Sequence, residues 1–199
     1  MDPNPFESPM TPAQTRIADA AIRVIANQGF DVVSVRTVAQ ESDLSAGTIQ
    51  YHYKTRQDLL IAALVRSSQR QAERSAPTGE HTTYRAGLRA SLRQLLPIDA
   101  TCREDVAVWV SYGAAASTRD WLAELYVMTL GEFHRTLEQV LTQAQEQGRL
   151  REGLTPTMAA SLVTALVNGL ALDHLNAPRP DPPAMEEALD RGLALIVTD

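Results

Sequence analysis

Apolar residues recur at helical spacing over most of the chain, and no stretch alternates convincingly as a strand would. Ile17, Ala21, Val24 and Ile25 form one apolar helix face. Thr11 before Pro12 is suited to cap it, and Gly29 is suited to stop it. Ser34 heads a short helix from Val35 to about Ser42, and Ser45 a second from Ala46 to about His52, with Asp43-Leu44-Ser45 as the turn. Thr55 heads a longer helix that runs to about Ala76, where Pro77-Thr78-Gly79 breaks it. Five more helices are expected at Tyr84–Leu96, Asp105–Ala116, Asp120–Gln147, Thr157–Leu175 and Pro183–Val197. The breaks between them are Pro97, Ser117-Thr118, the stretch from Gly148 to Pro156, and the proline-rich run from Pro178 to Pro183. The best strand candidate, Val32-Val33-Ser34-Val35, is short and flanked by caps. The pattern predicts an all-α fold of about nine helices.

Composition narrows the class. The 199 residues carry 18 Lys+Arg against 24 Asp+Glu, a net charge of −6, with 44% hydrophobic residues. That suffices for a core and excludes a disordered chain. No run of about 18 apolar residues is present, so no membrane-spanning helix is expected. The opening MDPNPFESPM is polar and Pro-rich, unlike a signal peptide, and residues 1–10 read as a disordered tail. The single Cys102 cannot form an internal disulfide, which fits a reducing, cytoplasmic compartment. Arginine is favoured over lysine throughout, the only lysine being Lys54. The acidic balance argues against wholesale coating of nucleic acid, though not against a local DNA-reading surface.

The segment SVRTVAQESDLSAGTIQYHYKTRQDLL, Ser34 to Leu60, carries the chemistry. Two short helices around a tight turn make a helix-turn-helix. Val35, Val38, Ala39, Leu44 and Ile49 are spaced to face inward. The outward side of the second helix carries Ala46, Gly47, Thr48, Gln50, Tyr51 and His52. Small residues at its start let the helix sink into a major groove about 12 Å wide, and the longer ones can reach bases and phosphates. Helix N-termini at Ser34, Ser45 and Thr55 present free N–H groups suited to phosphate.

The order of these residues resembles the DNA-binding domain of TetR-family transcriptional regulators. The matching positions are Gly29, Phe30, Ser34, Val35, Val38, Ala39, Leu44, Ser45, Gly47, Ile49, His52, Tyr53, Arg56 and Leu59. Three positions depart from the family pattern: Asp43 replaces a glycine, Gln50 a tyrosine and Arg56 a lysine. Asp43 can take the left-handed conformation, less easily than Gly. Gln50 has two equal readings, a bidentate bond to adenine or a phosphate or sugar contact. The resemblance implies that Ser34, Arg36, His52, Lys54, Thr55 and Arg56 mostly clamp phosphates. It implies that Ala46, Thr48, Gln50 and Tyr51 face bases, that Gly47 allows close approach, and that Tyr53 is buried. From Ala13 to Ala76 there are eight basic and six acidic residues, a local +2 on a remainder of −8. Binding should weaken steeply with salt.

The expected organisation is a tail at 1–10, a helix-turn-helix DNA-binding domain at 11–56, and a helical ligand-binding and dimerisation domain at 57–199. Met158, Leu162, Leu166 and Leu170 form a stripe wider than one core face requires, and Leu189 and Leu193 give the last helix a similar face. The resemblance agrees, since such regulators commonly dimerise through their last two helices. The segment from Leu166 to Leu172 also resembles the BetI-type branch. Trp109, Tyr112, Tyr126, Phe133 and His174 are candidates to line an apolar effector pocket, with His134 and Asn168 as further polar groups. For each, ordinary core packing is an equal alternative. Cys102 reads as a bystander, with a redox role open but lacking a partner thiol.

Enzyme signatures are absent: there is no Gly-rich phosphate loop, HExxH, CxxC or Gly-x-Ser-x-Gly, and the four histidines are scattered. No metal or cofactor is expected. The favoured reading is a cytoplasmic, nucleoid-associated repressor that binds a palindromic double-stranded DNA operator as a homodimer. A small apolar or aromatic effector would release it. The alternatives are a regulator whose ligand promotes DNA binding or activation, and a helical small-molecule carrier without DNA binding.

Overall fold

A computed structural model describes residues 9–75, 82–179 and 181–199. The described residues hold nine α-helices and no strand pairs beyond one isolated bridge. The helices are α1 (Pro12–Gln28), α2 (Val35–Ser42), α3 (Ala46–His52), α4 (Arg56–Ser75), α5 (Tyr84–Arg93), α6 (Ala100–Ala116), α7 (Asp120–Glu146), α8 (Pro156–Asn176) and α9 (Pro182–Ala194). Most of the expected tail, the break after α4 and Pro180 lie outside the described residues.

The N-terminal helices are set by their caps. Thr11 and Gln14 bond reciprocally at the start of α1, and Ser34 and Thr37 do the same for α2. Gly29 ends α1 with φ 102°, and a single 3₁₀ turn, Phe30–Val32, replaces the strand candidate. Asp43 takes φ 53° between α2 and α3, the left-handed conformation that its position requires. Two expected boundaries differ. The helix expected from Asp105 begins at Ala100, because the Asp99 carboxylate accepts the Cys102 N–H at 2.7 Å and caps it. The last helix stops at Ala194, and the chain then extends. Val197 bridges Leu150, and Arg151 N–H donates to the Ile196 carbonyl at 2.9 Å, tying the end of the chain to the α7–α8 loop.

Two apolar cores form. The first joins Ile17, Ile22, Val38, Ile49, Leu59 and Leu60 of α1–α4 to Val108 and Tyr112 of α6 and Leu122 of α7, so it runs across the expected boundary at residue 56. The second gathers Leu88, Leu92, Leu141, Val163, Val167, Met185, Leu189 and Leu193 from α5 and α7–α9. Ion pairs also join helices within the N-terminal head, α1–α4, and tie the head to α6 of the remaining body, α5–α9. Arg66 pairs with Asp19 at 3.1 Å, Arg70 with Glu104 at 3.0 Å and Arg74 with the buried Asp105 at 2.6 Å, linking α1, α4 and α6. Burial pushes the Asp105 carboxyl up, against the pull of the two arginines.

Helix α8 packs on α6, α7 and α9. Gly192 makes the last contact possible: a Cβ there would lie 2.4 Å from Leu166 Cδ2. Whereas no membrane-spanning helix was expected from the sequence, α8 is long and apolar enough to cross a membrane by length and composition. It is nevertheless one element of the second core.

Candidate nucleic-acid interface and effector region

Helix α3 begins at Ser45, whose Oγ accepts the Thr48 N–H at 3.0 Å. Ile49 is fully buried and anchors the helix to α1 and α2. The side that remains carries Ala46, Gly47 and Gln50 exposed, and Tyr51 is 81% exposed. His52 lies edge-on to Tyr51 with ring centroids 5.1 Å apart. Thr48 is half-buried, and its hydroxyl is shared with Ser45 Oγ at 2.9 Å. Gly47 is not needed by the chain: a Cβ there would meet only Ser45 Oγ, at 3.7 Å.

Tyr53 is half-buried against the first core, and burial, then the Asp58 carboxylate, pushes its hydroxyl up to about 12. Thr55 caps α4, with Asp58 N–H donating to its Oγ1 at 3.0 Å. Most cations of the head donate hydrogen bonds within the chain. Arg16 donates to the Ser42 carbonyl at 2.6 Å, and Arg23 pairs with Glu41 at 2.6 Å. Arg56, expected as a phosphate clamp, donates instead to the carbonyls of Val33 at 2.9 Å and Phe30 at 3.0 Å, because its guanidinium reaches across the start of α4 to the 3₁₀ turn. Arg36 and Lys54 are exposed and form no ion pair among the described residues.

In the body, two of the five candidate pocket residues are in direct contact. Trp109 stacks on Tyr126 at 4.6 Å between centroids, and its indole N–H donates to Asn168 Oδ1 at 3.0 Å. Gly113 gives the Tyr126 ring room, since a Cβ there would lie 3.3 Å from it. Tyr112 is a correction. It is fully buried in the first core, and its hydroxyl donates to the Leu60 carbonyl, so it faces the head. Phe133 lies against the second core, and His174 Nδ1 is within 3.0 Å of the Leu170 carbonyl. His134 has a buried Nε2 with no partner among the described residues. Cys102 is buried, and burial pushes its thiol up to about 11, the opposite of a reactive thiolate.

The expected dimer stripe divides. Met158 and Leu162 are 51% and 48% exposed, Leu166 and Leu170 are half-buried, and Ala165, Gly169 and Leu172 extend the outward face. Leu189 and Leu193 correct the expectation: both are fully buried in the second core, because α9 turns its apolar side to the other helices of its own chain.

Residues 84–198 match the family described as BetI-type transcriptional repressor, C-terminal, and residues 17–63 match the bacterial regulatory proteins of the tetR family. The chain belongs to the TetR family. It is a transcriptional regulator with an N-terminal helix-turn-helix, as the Ser34–Leu60 pattern led us to expect. The expectation that it is not an enzyme holds, because the family and its relatives are regulators. The HTH-type transcriptional regulator BetI of Brucella melitensis is 27% identical over 176 residues, covering 86% of this chain and 85% of its own. A transcriptional regulator from Rhodococcus sp. Rha1 is 30% identical with a TM-score of 0.79, covering 94% of this chain and 96% of its own. A regulator from Saccharomonospora viridis, solved in complex with choline, is 25% identical with a TM-score of 0.77, covering 94% and 98%.

Sequence reasoning missed Arg119, which precedes α7 and meets the head through Asp31 at 3.1 Å. No local signal marks it, because its partner lies 88 residues away.

Proposed function

We propose that this TetR-family regulator is a repressor that binds a palindromic operator as a homodimer and is released by a small apolar or aromatic effector. The observation that carries the DNA-binding half is α3 itself: Ala46, Gly47, Gln50 and Tyr51 stand exposed on a helix anchored by one buried residue, Ile49. Ala46, Thr48, Gln50 and Tyr51 meet bases. Arg36 and Lys54 meet phosphates, as do the N-terminal N–H groups of α2, α3 and α4 at Ser34, Ser45 and Thr55. The head works on chromosomal DNA in the cytoplasm.

The dimer uses the outward face of α8. Its most apolar stretch has mean hydropathy 1.4, yet only 33% of it is buried within one chain. An exposed apolar face of that length asks for a partner. Met158, Leu162 and Leu172 supply the apolar side chains, and the small residues Ser161, Ala165 and Gly169 let a second α8 approach closely.

The effector enters between α6, α7 and α8, where Trp109, Tyr126 and Asn168 already hold one another. Binding there breaks the indole–amide bond and moves α6, which carries Tyr112 into the head core. A coupling of about 1–3 kcal/mol is typical of allosteric proteins and would release the operator in part. The Saccharomonospora viridis neighbour's complex with choline brings a second effector class into play, because aromatic faces such as Trp109 and Tyr126 also attract quaternary ammonium ions.

The test is selection of duplexes from a random pool by the purified protein. Operator affinity is then measured with a series of apolar, aromatic and quaternary ammonium compounds. The proposal expects a symmetric site, and at least one compound that weakens binding while the dimer persists. A compound that tightens binding would favour the opposite regulatory sign. Binding to the protein by a compound at saturation with no change in operator affinity would refute the release mechanism.

A further inference from the structure

The ring of Phe30, in the 3₁₀ turn that leads into the helix-turn-helix, is held from three sides. The Arg56 and Arg119 guanidiniums lie 5.4 Å and 5.5 Å from its centroid. Tyr112 meets it edge-on at 5.1 Å, with the planes 88° apart. The two arginines also share one carboxylate oxygen, Asp31 Oδ1, at 3.3 Å from Arg56 and 3.1 Å from Arg119. Arg56 starts α4 and Arg119 sits in the corner between α6 and α7. Head and body therefore close on a single turn of chain.

The body side of this junction is one helical turn from the effector region, because Trp109 and Tyr112 are three residues apart on α6. The ion pair is a poor source of stability. Asp31 is 76% exposed and Arg119 34%, and water screens such pairs. What a fork-shaped cation between a ring and a carboxylate does supply is direction: it fixes how the two elements lie.

We propose that Arg119 is a positioning residue that, through Asp31 and Phe30, sets the angle of the DNA-binding head on the body and hence the separation of the two α3 helices in the dimer. This rests on the reading of the protein as a dimer on a palindrome. Arg119 does not touch DNA and does not hold the head folded. A shift of α6 would loosen its grip, which makes this junction a route by which an effector changes head spacing.

The experiment compares Arg119→Ala, Arg119→Lys and the unsubstituted protein on two duplexes, the selected palindrome and an isolated half-site. Arg119→Ala is expected to weaken palindrome binding about fivefold, the lower end of typical couplings because the pair is exposed, while half-site affinity stays within about twofold. Arg119→Lys, which keeps the charge but not the planar fork, is expected to recover only a minor part of the loss. Equal loss on both duplexes would mean a folding or phosphate-contact role and would overturn the proposal, as would no loss on either. A second measurement needs no DNA. Spin labels at Gln40→Cys in the head and Gln139→Cys in the body, both exposed sites, report their separation. Arg119→Ala is expected to broaden that distance distribution, and an unchanged distribution would overturn the proposal. If the unsubstituted protein selects no palindrome, the DNA reading fails and the distance measurement alone decides the role of Arg119.

Discussion

Along α3 the side chains of Gln50 and Tyr51 project outward with no hydrogen-bond partner among the described residues, while in the body Trp109, Tyr126 and Asn168 are occupied with one another. Under the proposed function, the difference follows from what each surface would meet. DNA is large, and its groove accepts a helix that is already formed, so the reading surface can stand ready at little cost. A small effector must be enclosed, and until it arrives the enclosing side chains close on themselves. Binding to α3 forms contacts without breaking any, whereas binding in the body exchanges existing contacts for new ones. Under the proposed function, that exchange is what gives an effector leverage over the head.

The comparison is broken most directly by removing the reading side chains. Replacing Gln50 and Tyr51 together with Ala should lower operator affinity by about a hundredfold or more, at about 1–3 kcal/mol for each base contact. The unfolding midpoint should not move, because neither side chain is in the core. Equal losses of affinity and stability would show that α3 is a structural helix.

Trp109→Ala should act in the opposite sense. Losing a stacked, half-buried indole should cost about 2–4 kcal/mol in denaturant unfolding, somewhat below a fully buried large-to-small change. Affinity for an isolated half-site should be unchanged wherever the protein remains folded.

Gly47→Ala sharpens the contrast within α3. Alanine should stabilise the helix by up to about 1 kcal/mol, since it is the better helix former and its Cβ has space. Operator affinity should nevertheless fall, because the added methyl group points at the groove. A variant that gained stability and kept its affinity would mean that the backbone does not approach DNA closely at Gly47.

The smallest effect concerns salt. A sequence-level balance of +2 suggests a steep dependence, but six of the eight cations are bound internally and only Arg36 and Lys54 remain free among the described residues. With two cations per head, the slope of log affinity against log salt should be roughly −3.6 for a dimer, at about −0.9 per neutralised phosphate. Lys54→Ala should make it shallower by roughly 1.8 across the two heads. A slope near −8 would show that the internal arginine pairs open on DNA.

What was legible in the sequence was what is decided locally. Thr11, Ser34, Ser45 and Thr55 cap helices within three residues of themselves, so the head could be read residue by residue. Ile49 and Tyr53 follow from periodicity and from the family pattern, and both turn inward as expected. The start of α6 was missed because Ala100-Thr101-Cys102-Arg103-Glu104 shows no apolar period, although Asp99 caps it locally. Arg56, Tyr112, Leu189 and Leu193 could not be placed from sequence for a different reason. Each could serve either inside or outside the chain, and the choice is made by elements far away in sequence. The carbonyls of Phe30 and Val33 claim Arg56, the Leu60 carbonyl claims Tyr112, and the second core claims the two leucines. Arg119 carries no local sign because its carboxylate comes from another part of the fold.

The central claim is that two α3 helices are held at a fixed separation on one face of a duplex. Changing the spacing between the half-sites of the selected palindrome measures this directly. An insertion of about five base pairs, half a helical turn, places the half-sites on opposite faces, and the account predicts that affinity falls to that of a single half-site. Undiminished affinity after that insertion would contradict it.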